Sequence, residues 1–592
     1  MNQHKKKLLI LSLSASVLLT ASGGAYASAA TIPTNVNPVE PSWGYFVDVY
    51  KNNSKDNMAL ESNPAIGVLS EYIKLWTPGE TWENGTKLNS QVLDANIQKV
   101  VQMTKKVTPQ QAEATYYDDR RNQSYSMMEG LGSLTDVYRN LTGAITTINS
   151  IPPDATSVKY EDEGNNSGDP KSKLGSMVNL VNTVRGTYST TNPSKSFYNY
   201  MRPFRWSTDV TVLPTLVPAI KSDPTSDGGY PSGHTNAAYL TAFAMAHAVP
   251  ERYQELLTRA SELGNNRIVA GMHSPFDVMG GRVMATALAA AILNDPENAE
   301  LKKTAYTDAH SMLLSQKGTA ADKFSSYTAN EKSFTDRLTY GFPQISSTTK
   351  TVVVPKGAEV LLETRQPYLD NTQRRWVLAT TGVESGYPVL DDAEGWGRLN
   401  LFAAVNGYGA FATDVTVAMD ATKGGYNALD QWRNNISGKG KLTKKGTGTL
   451  QLSGRNSYTG GTQLEQGKLE AQSLTALGNG GVVNNGGTFS KAVSGKLAVK
   501  GNFKQSAKGT LALNVGSPSD VLRIMGSGTY GGKLKLNFTN KYMPKGVVTI
   551  ITDGSSLKNG VFSSVETTGL NSQYKTKLIY NGHSVQLQIV KK

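Results

Sequence analysis

The 592-residue chain contains no cysteine, so neither a disulfide framework nor a cysteine-ligated metal centre is available to it. Stability must come from core size. Histidine is scarce as well, with six in all and none in a His-Glu-x-x-His pattern, which argues against a zinc hydrolase. Long apolar runs are missing beyond the N-terminus. The most apolar stretches, Leu240 to Val249 and Val283 to Leu293, fall short of the ~18 residues a bilayer span needs and read as buried helices. Acidic residues thin out toward the C-terminus: residues 431–592 hold 22 Lys or Arg and 5 Asp or Glu, against 38 and 42 in the remainder. A weakly acidic part joined to a strongly basic one is what two units with different tasks look like.

What is present begins with an address. Lys5, Lys6 and Lys7 precede the apolar run Leu8 to Thr20, and Ala25-Tyr26-Ala27 or Ala27-Ser28-Ala29 supplies a small-residue cleavage site. Residues 1–29 therefore read as a signal peptide, and the protein as secreted or extracytoplasmic, in the periplasm or at the cell surface. From about Pro41 to Ile345 apolar residues recur at helical spacing, as in Leu93 to Met103 and Ala237 to Ala248. After about Gly424 the texture turns to short alternating runs between glycine turns, such as Leu511-Ala512-Leu513-Asn514-Val515 and Leu534-Lys535-Leu536-Asn537-Phe538. The expected architecture is multidomain: a mainly α-helical bundle over residues 30–425, then an all-β solenoid-like domain over 426–592. Within the latter, Leu442 to Gly454, Tyr458 to Thr462 and Gly467-Lys468-Leu469 resemble the strand repeat of autotransporter passenger domains, which implies stacked rungs that bury a face only against their neighbours.

Three blocks of the first part share cations, hydroxyls, glycines and histidines. Lys195 and Arg202-Pro203 stand seven residues apart, close to two helical turns, which would put both cations on one helix face. In Gly228-Gly229-Tyr230-Pro231-Ser232-Gly233-His234, an apolar helix follows, so the Gly233 amide and its neighbours could bind an anion at the helix start; Ser232 alone reads equally as an N-cap. In Asn266-Arg267 through His273-Ser274-Pro275-Phe276-Asp277, Pro275 fits the first helical position with Ser274 as cap. Asp277 is then either a partner for His273 or half of a capping box.

Taken in order, Lys-x6-Arg-Pro, Pro-Ser-Gly-His and Arg-x5-His-x3-Asp resemble the superfamily of type 2 phosphatidic acid phosphatases, bacterial non-specific acid phosphatases and vanadium haloperoxidases. Tyr117-Asp118-Asp119-Arg120-Arg121-Asn122-Gln123-Ser124-Tyr125 and residues 385–411 resemble segments of its secreted acid phosphatase branch. One departure is Asn266, where the family usually has serine. The resemblance implies a helical phosphatase that hydrolyses phosphate monoesters without a metal or other cofactor. His273 would be the nucleophile that becomes phosphohistidine, Asp277 its partner, and His234 the general acid; Lys195, Arg202, Ser232, Gly233 and Arg267 would hold the phosphate. Vanadate would be an inhibitor, or the cofactor if the chain were instead a haloperoxidase. A third reading is a surface-binding protein on a degenerate phosphatase scaffold.

An outer-membrane barrel would need many strands of ~10 residues after the passenger, whereas this sequence closes soon after a single alternating run, Val585 to Val590, so an ordinarily exported protein is expected. A phosphomonoester is the expected substrate. The basic C-terminal part is expected to meet an anionic cell-envelope surface, and no nucleic acid is predicted as partner.

Overall fold

The computed structural model describes residues 31–555 and 559–592; the expected signal peptide lies outside the described residues. A helical N-terminal region is followed by a parallel β-solenoid of about five turns. Two buried helices, Gly233–Ala248 and Pro275–Asn294, form the axis of the helical region, and Tyr253–Val269 packs on both. Ser90–Thr104, Pro109–Arg120, Gly175–Val184 and Tyr327–Thr339 surround them.

The helix Pro275–Asn294 begins well before the apolar run at Val283, and its 20 residues are long and apolar enough to cross a membrane. Pro275 through Leu293 are nevertheless all buried inside the protein, which makes this the central core helix. Two glycines allow the close approach this requires. A Cβ on Gly280 would stand 2.6 Å from the Tyr230 ring, and one on Gly281 would stand 2.6 Å from the Ser232 carbonyl oxygen. The segment Tyr230 to His234 is thereby pressed against the first turns of the Pro275 helix.

In the solenoid, Leu442, Thr462 and Val482 are register partners, so one rung takes 20 residues. A seven-stranded wall and a six-stranded wall run along the stack, and Lys496–Val499 and Val521–Ile524 open a third sheet. That sheet ends in the antiparallel hairpin Tyr574–Asn581 and Ser584–Lys591. Leu450, Leu469, Phe489, Leu511 and Leu534 stand in line inside one wall, all fully buried. Two of the lysines that make this region basic are interior as well. Lys444 donates to the carbonyls of Lys445 and Gly446, at 2.7 and 2.9 Å, and Lys491 donates to the Val493 carbonyl at 2.6 Å beside Asp520.

The first rung straddles residue 425. Val415–Ala418 pairs with Leu442–Lys445 in one wall, and Leu429–Trp432 pairs with Thr449–Leu452 in the other. Among the contacts that join the rung to the helical region is one buried carboxylate: Asp430 accepts from Arg365 Nη1 at 2.8 Å and from the Tyr368 hydroxyl, and Tyr368 in turn accepts from Trp432 Nε1 at 2.9 Å. Cutting the chain near Lys423 would remove Asp430 and leave Arg365 buried without its counter-charge. Replacing Asp430 by alanine is expected to destabilise the protein by about 3–5 kcal/mol, the usual cost of breaking a buried ion pair from one side, measured as a shift in urea unfolding.

Candidate active site

The three sequence blocks meet where the helices Gly233–Ala248 and Pro275–Asn294 begin. In the first block, the helix Asn192–Tyr198 stops at Asn199, whose φ of 43° is left-handed, and Arg202 is extended (φ −66°, ψ 153°) as the following Pro203 requires. Lys195 and Arg202 therefore do not share one helix face; the chain turns between them. They converge instead on the segment before Tyr230. Lys195 Nζ donates to the Gly228 carbonyl, and Arg202 Nε donates to Asp227 Oδ1 at 2.6 Å. Asp227 is buried and also accepts from Arg205 Nη2 at 2.9 Å.

In the second block, Ser232 caps the helix Gly233–Ala248. Its hydroxyl oxygen accepts from the Thr235 amide at 3.3 Å and from the Thr235 hydroxyl at 2.9 Å, which leaves its own proton available to an incoming acceptor. The first amides of the helix have no intrahelical acceptor, and a Cβ on Gly233 would meet only Thr191 Oγ1, at 3.3 Å. His234, in the same turn, places Nε2 3.2 Å from the Asp119 carbonyl oxygen.

In the third block, Ser274 and Asp277 form a full capping box, with Pro275 at the first helical position. The same carboxylate also serves His273. Asp277 Oδ2 accepts from the Ser274 amide at 2.8 Å and stands 3.3 Å from His273 Nδ1. Arg202 Nη1 lies 3.0 Å from His273 Nε2 and 2.9 Å from the Met272 carbonyl oxygen. A guanidinium can only donate, so Nε2 is the accepting nitrogen and the ring proton resides on Nδ1, directed at Asp277. That tautomer leaves a lone pair on Nε2, which points among the cations. Arg267, in the last turn of Tyr253–Val269, pairs with the buried Asp119.

Two residues that sequence reasoning passed over hold this arrangement. Asp119, in the block 117–125, neutralises Arg267 through its carboxylate and fixes His234 through its carbonyl. Asp227 does the same for Arg202 and Arg205. The signal for Asp119 was present, since Asp118-Asp119 sit beside Arg120-Arg121. Asn266 serves Asp118: its Nδ2 donates to Asp118 Oδ2 at 2.8 Å, and Asp118 is also bound by Arg259. Residues 385–411 do packing work. Glu394 accepts from the Trp396 indole at 2.8 Å and the Phe46 amide at 3.2 Å, and Arg398 donates to the carbonyls of Val383 and Thr351. His247 and His310 have acidic neighbours of their own, Glu363 and Glu251.

The electrostatics follow from crowding cations in a buried place. Burial, then Arg202, holds the Lys195 amine below its ordinary value, and burial raises the Asp277 carboxyl. Burial followed by the charges of Arg120, Arg202, Lys195 and Arg185 pushes His234 down to about 3. His273 is likewise held well below its ordinary value, first by burial and then by Arg202, Lys195 and Arg267. Both imidazoles are therefore neutral near pH 7.

A family model described as the PAP2 superfamily matches residues 176–300, which contain every residue of the three blocks. The chain carries a PAP2 superfamily domain. The chain also has homology to non-specific acid phosphatases: that of Salmonella typhi is 38% identical over 92 residues, 16% of this chain and 35% of that protein. That of Providencia stuartii is 30% identical over 107 residues, 18% of this chain and 42% of that protein. A second model, the passenger-associated-transport-repeat, matches residues 442–471 of the solenoid. The Neisserial autotransporter lipoprotein NalP of Neisseria meningitidis serogroup B is 31% identical over 224 residues, 33% of this chain. The match spans 20% of NalP, a fifth of its length.

Burial is the first cause that holds His234 neutral and the neighbouring cations the second; an anion entering the PAP2 domain's cluster of cations would offset the second, so anion binding should favour protonation of His234. Calorimetric titration with inorganic phosphate at pH 6–7, in buffers of different ionisation enthalpy, is expected to show net proton uptake by the protein. Replacing His234 by asparagine should reduce that uptake.

Proposed function

We propose that the protein is an exported, metal-independent phosphatase that hydrolyses phosphate monoesters through a phosphohistidine at His273. The observation that carries this reading is the orientation of the His273 ring, with Nδ1 toward Asp277 and the Nε2 lone pair toward Arg202. The homology to acid phosphatases favours this chemistry over halide oxidation with vanadate. The extracytoplasmic location is supported by relatives whose names include an autotransporter lipoprotein and an extracellular serine protease of Serratia marcescens.

In this mechanism the phosphate draws Arg202 Nη1 away from His273 onto one of its oxygens, joined by Lys195, Arg267, the Ser232 hydroxyl and the Gly233 amide. His273 Nε2 attacks phosphorus, the bond to the alkoxide oxygen breaks, and protonated His234 supplies the proton that makes the alkoxide an alcohol. Asp277 stabilises the positive ring that results. Water then gives a proton to His234 and attacks phosphorus; the N–P bond breaks, releasing phosphate and restoring both histidines. His273→Ala is expected to abolish turnover and trapping of radiolabelled phosphate. His234→Ala should still form phosphoenzyme from p-nitrophenyl phosphate, whose leaving group needs little acid help. Activity should survive EDTA and fall with micromolar vanadate.

The basic solenoid is read as an anchor to an anionic envelope polymer or lipid headgroup surface. Its support is charge: Lys496, Lys500, Lys504 and Lys508 are exposed on one turn of the solenoid, and Arg523 is exposed on the next. Co-sedimentation of the full chain with cell envelopes should be lost at several hundred millimolar salt, and weakened at low salt when these five are replaced by glutamine.

A further inference from the structure

A cavity of about 250 Å³ lies in the seam between the helical region and the first rungs of the solenoid, and none of the residues around it belongs to the three blocks. The helical side supplies Glu251, Gln254 and Glu255 from around the start of the helix Tyr253–Val269, together with Asn406; the solenoid side supplies Arg433 and Gln451. Tyr426 ties the seam beside it. Its hydroxyl donates to the Pro250 carbonyl at 3.2 Å, and the Arg365 guanidinium, whose charge is met by Asp430, lies 3.8 Å over its ring.

The amide nitrogens around the cavity are already committed. Gln254 Nε2 donates to the Phe402 carbonyl at 2.8 Å, Gln451 Nε2 to Glu470 Oε1 at 3.0 Å, and Asn406 Nδ2 to the Tyr327 hydroxyl at 2.8 Å. Among the described residues no hydrogen bond is made to the oxygens of these three amides. Glu255 is met only by its own backbone and, at 3.8 Å, by Arg252, which both oxygens of Asp322 already hold. Burial accordingly keeps its carboxyl above the ordinary value. Glu251 gives one oxygen to His310 at 3.1 Å. The cavity is therefore rich in acceptors and poor in donors. Its one guanidinium outside an ion pair is Arg433, whose Nε donates to Gln431 Oε1 at 2.8 Å.

We infer that this cavity binds one neutral sugar residue, whose hydroxyls donate to Glu255 and to the amide oxygens of Gln254 and Gln451 and accept from Arg433. The site does not depend on the phosphatase reading. A sugar hydroxyl both donates and accepts, so a single ring satisfies surplus acceptors and a guanidinium together without bringing charge into the seam. An anion would meet Glu251 and Glu255, and an ammonium would meet Arg433. Pro250 and Leu429 give an acyl chain little to bury against. The volume suits one ring, at the small end of the ~300–1,000 Å³ of ordinary ligand sites. Because its walls come from both sides of the seam, a bound sugar holds the solenoid against the helical region.

The test is calorimetry and saturation-transfer NMR on the full chain with D-glucose, D-galactose, D-mannose and N-acetyl-D-glucosamine as probes. At least one should bind saturably and raise the midpoint of urea unfolding. Glu255→Gln, on the helical side, and Gln451→Leu, on the solenoid side, should each weaken that binding about tenfold, the effect of one well-made hydrogen bond. Each variant is expected to unfold in urea near the wild-type midpoint when no sugar is present, which separates a lost contact from a lost fold. Absence of binding by all four sugars, or binding that both variants leave unchanged, overturns the site. Binding of putrescine in place of any sugar, lost in Glu255→Gln, overturns the assignment of a neutral ligand.

Discussion

Cations brought together inside a protein repel one another and lose their hydration, and the helical region is organised around that cost. Lys195, Arg202 and Arg267 come from three separate segments, and each is met by an oxygen that the fold supplies: the Gly228 carbonyl, Asp227 and Asp119. The two carboxylates are shared, Asp227 between Arg202 and Arg205 and Asp119 between Arg267 and Arg120, so cations outnumber the carboxylates that meet them. Asp277 has a different partner. It anchors the start of the core helix and stands 3.3 Å from His273 Nδ1, which ties the setting of that ring to the stability of the helix that follows it.

That coupling explains why the core helix is so closely packed at its N-terminal end. Gly280 and Gly281 let Tyr230 and Ser232 approach, and the Ser232 amide donates to the Asp277 carbonyl at 2.8 Å. The second and third blocks are thus joined through backbone and packing before any side chain is considered. The solenoid meets a similar constraint by another route. Lys444 and Lys491 sit inside the stack because backbone carbonyls, and for Lys491 Asp520, replace their water. Asn484 and Gln505 are register partners on adjacent rungs, and Asn484 Nδ2 donates to Gln505 Oε1 at 3.1 Å, so there the stacking lets one interior polar group satisfy the next.

Much of this was legible in the sequence, and for identifiable reasons. Periodicity separates helix from strand, and a change of period near Gly424 marks the change of architecture, although the first rung draws on Val415–Ala418 from the earlier side. Local rules also fix the Ser274 cap with its capping box, Pro275 at the first helical position and Gly233 after the Ser232 cap. Local rules misjudged the first block. Seven-residue spacing suggests a shared helix face, whereas Asn199 and Pro203 turn the chain and bring Lys195 and Arg202 together by a different path. The reading of Asp277 as either cap or histidine partner was a choice the molecule does not make, since one oxygen serves both.

What the sequence determined by itself is therefore the set of chemical groups and their order: two histidines, one with a carboxylate four residues on, three cations, and a capped glycine turn. These depend on neighbours a few residues away, which is the range over which helical spacing and capping act. Only the tertiary structure decided the ring tautomer of His273, the partners Asp119 and Asp227, and the interior position of Lys444 and Lys491. Each depends on contacts between segments far apart in the chain, where packing and desolvation, and not local spacing, select which groups meet.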